Sequence, residues 1–343
     1  MKLKERMLNA IKRRNNSYNT FKIYWRWCVK YMIFCKQGQE WVDPVQCGAA
    51  EIEAFLSHLA VDRNVSPTTQ NQAFAAVLYL YRNVLDIDIQ GVNAVRAKTG
   101  GQSIPIVLNP DELARIFNVI KDPARLANLL QYGGGTRISE TLALRVKDVD
   151  LHRHQLTLWR SKGYKSRVTM FAPCIAPLLQ VQIERARHWW QIDQQQGNLG
   201  VSIPHAYGRK NPTSNKSFAW YYLFCSPTLS QAPTGRDRGW YRHHLHSSGV
   251  SRQLAAAVKL AGISKRVTTH TFRHTWASHS LEQGVNIKVI QELLGHSDLN
   301  TTMIYTHINK NAAADGSKSP LERLVSQPTR LPMVDRLRSQ IVG

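Results

Sequence analysis

Gly284 and Gly295 divide the stretch from His270 to His307 into three short helical segments, and this punctuation constrains the fold more than any other feature. Trp276, His279, Ser280 and Gln283 recur at helical spacing between Thr271 and Gln283, and Gly284 is the expected left-handed stop. A second segment carries Ile287, Ile290, Leu293 and Leu294 on one face and stops at Gly295, which leaves His296 in a loop. Thr301 is placed to cap a third helix that carries Tyr305 one turn in. His270, at the entrance of the first helix, and Arg273 share a helix face. The stretch therefore gathers a candidate base, a permanent cation, a second imidazole and a phenol.

The rest of the chain reads as mainly α with a small β-hairpin, an α+β organisation. Residues 1–95 look all helical. Phe21, Tyr24, Trp25, Cys28, Met32 and Cys35 recur at helical spacing, as do Ile52, Phe55, Leu56 and Leu59. Ser66-Pro67 opens a further helix. Lys2, Lys4, Arg6, Lys12, Arg13 and Arg14 make its beginning basic. Residues 96–108, with Thr99-Gly100-Gly101-Gln102-Ser103, read as a linker. A second domain, 109–310, starts at an Asn109–Glu112 capping box. Its apolar helix around Leu126–Leu130 runs into Gly133-Gly134-Gly135 and then Arg137 at a helix start. There the backbone can approach an anion closely, and Arg137 either binds that anion or pairs structurally with Glu140. Gln155–Trp159 and Ser166–Phe171 alternate as strands joined by a basic turn holding Lys162. Residues 191–247 form an insertion rich in aromatics, His and Gln, and 311–343 form a tail with little pattern.

Charge narrows the partner. The chain has 343 residues, and 45 Lys and Arg against 23 Asp and Glu leave a formal charge of +22, a field that suits a polyanion such as nucleic acid. Cys28, Cys35, Cys47, Cys174 and Cys225 are scattered, as expected of reduced thiols in a cytoplasmic protein, and no long apolar span suggests a membrane. In the insertion, Trp220, Lys210, Arg242, His243 and His244 combine flat rings with cations, a set able to hold bases presented outside a stack. The same segment can equally be an ordinary insertion with its own small core, and its histidines also raise zinc.

The chemistry these residues permit is phosphodiester cleavage. Two guanidiniums, Arg137 and Arg273, match the non-bridging oxygens of a phosphate as charge builds. Tyr305 is an oxygen nucleophile, His270 a candidate base, His296 a donor to phosphate, and Lys162 a proton source for the leaving oxygen. Neither an acidic metal-binding cluster nor a GxxxxGK[ST] loop occurs, so no metal or ATP is expected.

Arg137 in its Gly-x-Gly-x-Arg-Ile-x-Glu setting, His270-x-x-Arg273, Leu294-Gly295-His296 and Tyr305 nine residues later resemble the tyrosine recombinase (phage integrase) family, and Lys162 matches its hairpin lysine. The insertion before His270 is similar to the extra segment of integron integrases. The resemblance implies a two-domain clamp around DNA, with a helical SAM-like core-binding domain and a catalytic domain. It also implies a 3′-phosphotyrosine at Tyr305 with a free 5′-hydroxyl, and no cofactor. Four protomers would recombine gene-cassette sites folded from single strands, with Trp220, His243 and His244 on extrahelical bases. The alternative within the family is a Xer- or phage-type enzyme acting on duplex sites.

Overall fold

A computed structural model describes residues 2–36, 40–89, 105–159, 166–203, 205–231, 239–296 and 300–303. The chain divides into two compact units, residues 1–103 and 104–343. Among the described residues no helix is long and apolar enough to cross a membrane.

The first unit is helical. Helices α1 (Leu3–Arg13), α2 (Tyr18–Phe34), α3 (Ala49–Val61) and α4 (Pro67–Leu80) pack around two apolar clusters. Ser66 caps α4 with Pro67 at its first position, as the sequence predicts. The stripe on α2 is only partly the expected one. Phe21 and Cys28 are buried, but so are Trp27 and Tyr31, whereas Tyr24, Trp25, Met32 and Cys35 are half-buried. The reason is that α2 is packed on more than one side: Met7 and Ile11 of α1 meet Phe21 and Cys28, while Phe55 of α3 meets Tyr31.

The second unit is organised around helix α6 (Ala124–Gly134), where all but one residue is buried. It lies against α11 (Thr269–Glu282), with Phe117 of α5 (Pro110–Val119) stacked on Phe272. The Asn109–Glu112 capping box closes the start of α5 in both directions, at 2.8 Å each. Helix α7 (Ile138–Ala143) leads into an antiparallel sheet in the order β1 (Val149–Asp150), β2 (Gln155–Leu158), β3 (Arg167–Met170). Leu156 pairs with Thr169 and Leu158 with Arg167, so the four share the inner face. Thr169 donates to the Gly134 carbonyl at 2.7 Å. A Cβ on Gly134 would lie 2.7 Å from the Met170 carbonyl oxygen, and one on Gly135 (φ +61°) would strike the Trp276 ring. The glycine run thus admits protein as neighbour: β3 on one side, α11 on the other.

The insertion is built into this unit. Helix α8 (Ala176–Gln195) crosses its expected start at 191, and α9 (His205–Lys210) and a two-stranded sheet, β4 (Cys225–Gln231) with β5 (Trp240–His244), complete it. Tyr221 and Val201 are fully buried in its own small core. Leu223 N–H donates to the Leu144 carbonyl and Val146 N–H to that of Tyr221, which ties the insertion to the chain after α7. Helix α10 (Ser247–Leu260) follows, and α12 (Ile287–Leu294) and α13 (Asn300–Met303) come in the expected order. Gly284 (φ +82°) and Gly295 (φ +62°) are the left-handed stops. Thr301 lies inside α13 rather than capping it.

Candidate active site

Arg137, His270, Arg273 and His296 come together where α6, α7, α11 and α12 meet. Arg137 is the N-cap of α7, and Glu140, at the third position, accepts from its backbone N–H at 2.9 Å and from its Nη1 at 2.7 Å. The structural pairing left open by the sequence is therefore made, and the second guanidinium nitrogen, Nη2, faces the Gly295 carbonyl at 3.5 Å. Arg273 is buried on α11. Its Nη1 donates to the Gly135 carbonyl and its Nη2 to that of Leu294 at 2.6 Å. The left-handed stops at Gly135 and Gly295 place both ends of this clamp, because helix termini leave carbonyls that need a donor.

His296 follows the Gly295 stop. Its Nε2 lies 3.1 Å from Arg273 Nη2, and its Nδ1 lies 2.9 Å from Thr302 Oγ1. A guanidinium only donates, so Nε2 accepts and the ring proton sits on Nδ1, directed at Thr302. His296 thus contacts Arg273 directly through Nε2. Burial, then the charges of Arg273, Arg137, His274 and Arg167, hold its pKa at about 4. His274 is likewise lowered to about 4 by burial, His270 and Arg273. Crowding by the protein, then Arg273 and Arg137, also lowers His270, which favours the neutral imidazole that a base requires.

A residue the sequence reading missed completes the site. Arg167, on the inner face of β3, donates Nη1 and Nη2 to the two Glu140 oxygens at 2.9 and 2.7 Å, and Nε to the Leu293 carbonyl at 2.8 Å. Burial alone raises the Glu140 carboxyl, but Arg167 and then Arg137 outweigh it and hold it at about 2. The alternation of β3 was the signal available: Arg167 stands on the same face as buried Thr169. Lys162 and Tyr305 lie outside the described residues.

Next to Glu140 opens a cavity of about 730 Å³ between the core and the insertion. Trp159, Lys147 and Arg145 line it from one side, and Tyr207, Lys210, Trp220 and Tyr222 from the other. The Tyr207 and Trp220 rings lie 4.6 Å apart, and Lys147 Nζ sits 4.7 Å from the Trp159 ring and 4.5 Å from that of Trp220. Trp159 donates Nε1–H to Asp148 at 2.8 Å while 59% of its surface stays exposed. Trp220 and Lys210 thus share one cavity, joined by Trp159 and Tyr207, which the sequence did not mark as partners.

His243 and His244 stand behind that wall, their rings 5.3 and 5.2 Å from Tyr222. Burial lowers both imidazoles, that of His244 to about 4. Arg242 is corrected as a base contact. It is 2% exposed, with Nε and Nη2 on Asp193 at 2.9 and 2.5 Å and Nη1 on the Ser226 and Pro227 carbonyls. Alternation on β5 turns Arg242 inward, to an acid on α8 that is fully buried. A guanidinium committed in this way holds the insertion together.

A family profile described as the phage integrase family matches residues 107–312, and one for the phage integrase N-terminal SAM-like domain matches residues 3–91. An Escherichia coli protein described as an integrase/recombinase is 39% identical over 324 residues, 94% of either chain. Tyrosine recombinase XerA of Thermococcus kodakarensis is 31% identical over 81% of this chain and 83% of its own. Among solved structures, the Tn1549 transposon integrase in complex with transposon right-end DNA shares the fold (TM-score 0.57, 16% identity, 95% of this chain and 100% of that one). So does a lambda integrase dimer bound to a core site (TM-score 0.56, 17% identity, 87% and 95%). With both units matched and the arginines and histidines of the second unit gathered around the end of α12, the chain belongs to the phage integrase family and is a tyrosine recombinase.

Proposed function

We propose that this recombinase is an integron integrase that inserts and excises gene cassettes by reading folded single-stranded sites. Arg137 and Arg273 exchange the α12 and Gly135 carbonyls for the non-bridging oxygens of the scissile phosphate. Tyr305 Oη attacks phosphorus and loses its proton to His270. The bond from phosphorus to the 5′ oxygen breaks, and Lys162 protonates that oxygen. The 3′-phosphotyrosine conserves the bond for rejoining, so neither metal nor ATP is called for. His296 holds Arg273 in place. Four protomers, each clamping DNA with its two domains, would act on two sites.

One observation carries the cassette reading: the cavity beside Glu140. Its volume falls within the range of small-molecule sites, roughly 300–1,000 Å³. Its aromatic faces and the cations Lys147 and Lys210 suit a base swung out of a helix, next to the phosphate chemistry. An enzyme acting on perfect duplex has no extrahelical base to place there. His243 and His244 back the Tyr222 wall and contribute to its shape.

A nicked cassette-type hairpin, a substrate that traps the covalent product, tests both levels. Wild type forms a protein–DNA adduct and Tyr305→Phe none; adduct with the variant would sink the mechanism. Much less adduct on the same site as perfect duplex supports the cassette reading. Equal adduct on both favours the alternative, a Xer- or phage-type recombinase acting on duplex sites.

A further inference from the structure

Three successive carbonyls at the end of α12 each hold a different arginine. Leu293 accepts from Arg167 Nε (2.8 Å), Leu294 from Arg273 Nη2 (2.6 Å) and Gly295 from Arg137 Nη2 (3.5 Å). A helix C-terminus carries partial negative charge and unsatisfied acceptors, so cations are stabilised there. The three arginines are not equivalent. Arg137 and Arg273 hold the carbonyls through Nη groups, the donors a phosphate would take. Arg167 binds Glu140 through both Nη groups, and the same carboxylate accepts from the Arg137 backbone and side chain. A bidentate guanidinium–carboxylate pair with a side-chain exposure of 10% and 9% is the fixed member of the set.

We propose that Arg167 is a positioning residue of the recombinase: through Glu140 it aims Arg137, and through the Leu293 carbonyl it holds the end of α12 that carries His296. The inference rests on the recombinase reading of the site. Arg167 is the first residue of the strand that follows Lys162 in sequence. One side chain therefore ties together the hairpin, the helix that presents Arg137 and the helix that precedes His296. It touches no substrate. Gly295 is required by the same arrangement, since a Cβ there would lie 3.0 Å from Arg167 Nη1 at a φ of +62°. Lysine cannot replace this arginine, because an ammonium lacks the planar fork that serves two oxygens and a carbonyl together.

The test compares wild type, Arg167→Lys and Arg167→Ala in three measurements: DNA affinity, single-turnover cleavage of the nicked hairpin, and the imidazole resonances of His296 in histidine-labelled full-length protein. For Arg167→Lys the expectation is affinity within about threefold of wild type, cleavage about 100-fold slower, and a displaced His296 resonance with the fold retained. Wild-type cleavage in both variants would overturn the proposal. So would loss of the folded spectrum in both, which would make Arg167 a stability residue only. If wild type itself forms no adduct, the recombinase reading has failed on that substrate, and the His296 resonance still decides for Arg167. Its displacement in folded Arg167→Lys supports the role, and an unmoved resonance overturns it.

Discussion

Replacing Arg242 by Met separates a structural guanidinium from a DNA-contacting one. Asp193 is 0% exposed, accepts from Arg242 at 2.9 and 2.5 Å, and accepts from the Tyr221 hydroxyl at 3.2 Å. Methionine has nearly the bulk of the arginine stem but leaves the carboxylate buried with only two neutral side-chain donors, the Tyr221 hydroxyl and Asn198 Nδ2 (3.0 Å), and frees the Ser226 and Pro227 carbonyls. Breaking one side of such a pair costs about 3–5 kcal/mol. For a unit of this size, each kcal/mol lowers Tm by roughly 2–4 °C, so Arg242→Met should melt about 6–20 °C lower. Removing both charges, in Arg242→Met/Asp193→Leu, should recover most of that loss, because a buried ion pair contributes little beyond a well-packed apolar pair. Calorimetry gives Tm, and titration of a labelled cassette hairpin at several salt concentrations gives affinity and its salt slope. The double variant should bind with an unchanged slope, since no phosphate contact is lost. An unchanged Tm in Arg242→Met, together with a smaller salt slope in both variants, would refute the argument and return Arg242 to the DNA.

Two further predictions follow from the same geometry. Trp159→Ala or Trp220→Ala removes one aromatic face of the cavity, and loss of base stacking worth about 1–3 kcal/mol should weaken hairpin binding roughly 5- to 150-fold while duplex binding changes little; equal losses on both forms of DNA would count against a base in the cavity. Glu140 has its folded pKa depressed from 4.5 to about 2, so the stability it contributes, on the order of 3 kcal/mol, is present above pH 4.5 and lost as pH falls towards 2. Denaturation of wild type against Glu140→Gln between pH 6 and 3 reads this, and parallel curves for the two proteins would exclude it.

Much of this was legible because it is local. The Asn109–Glu112 box, the Ser66-Pro67 start and the stops at Gly284 and Gly295 are set within a few residues, where side-chain caps and left-handed glycine override weaker preferences. Those stops place Arg273 and His296 near one another before any packing is considered. The insertion was less legible. The sequence Cys225–Gln231 carries Pro227 and lacks alternation, so the strand it forms against Trp240–His244 had no signal of its own. Arg242 read as a surface cation because its partner, Asp193, is distant in sequence.

By itself, then, the amino-acid sequence determined the helical pattern, the positive charge and which side chains are candidates for the chemistry, since these depend on residue type and short spacing. Tertiary structure alone decided how the cations are used. Arg137 is shared with Glu140, Arg273 is held by carbonyls and by His296, Arg242 is spent inside the insertion, and Arg167 is drawn into the site from a strand. An arginine is always charged, so its role depends on which acceptors surround it, and only the packing of distant helices and strands brings those acceptors within reach.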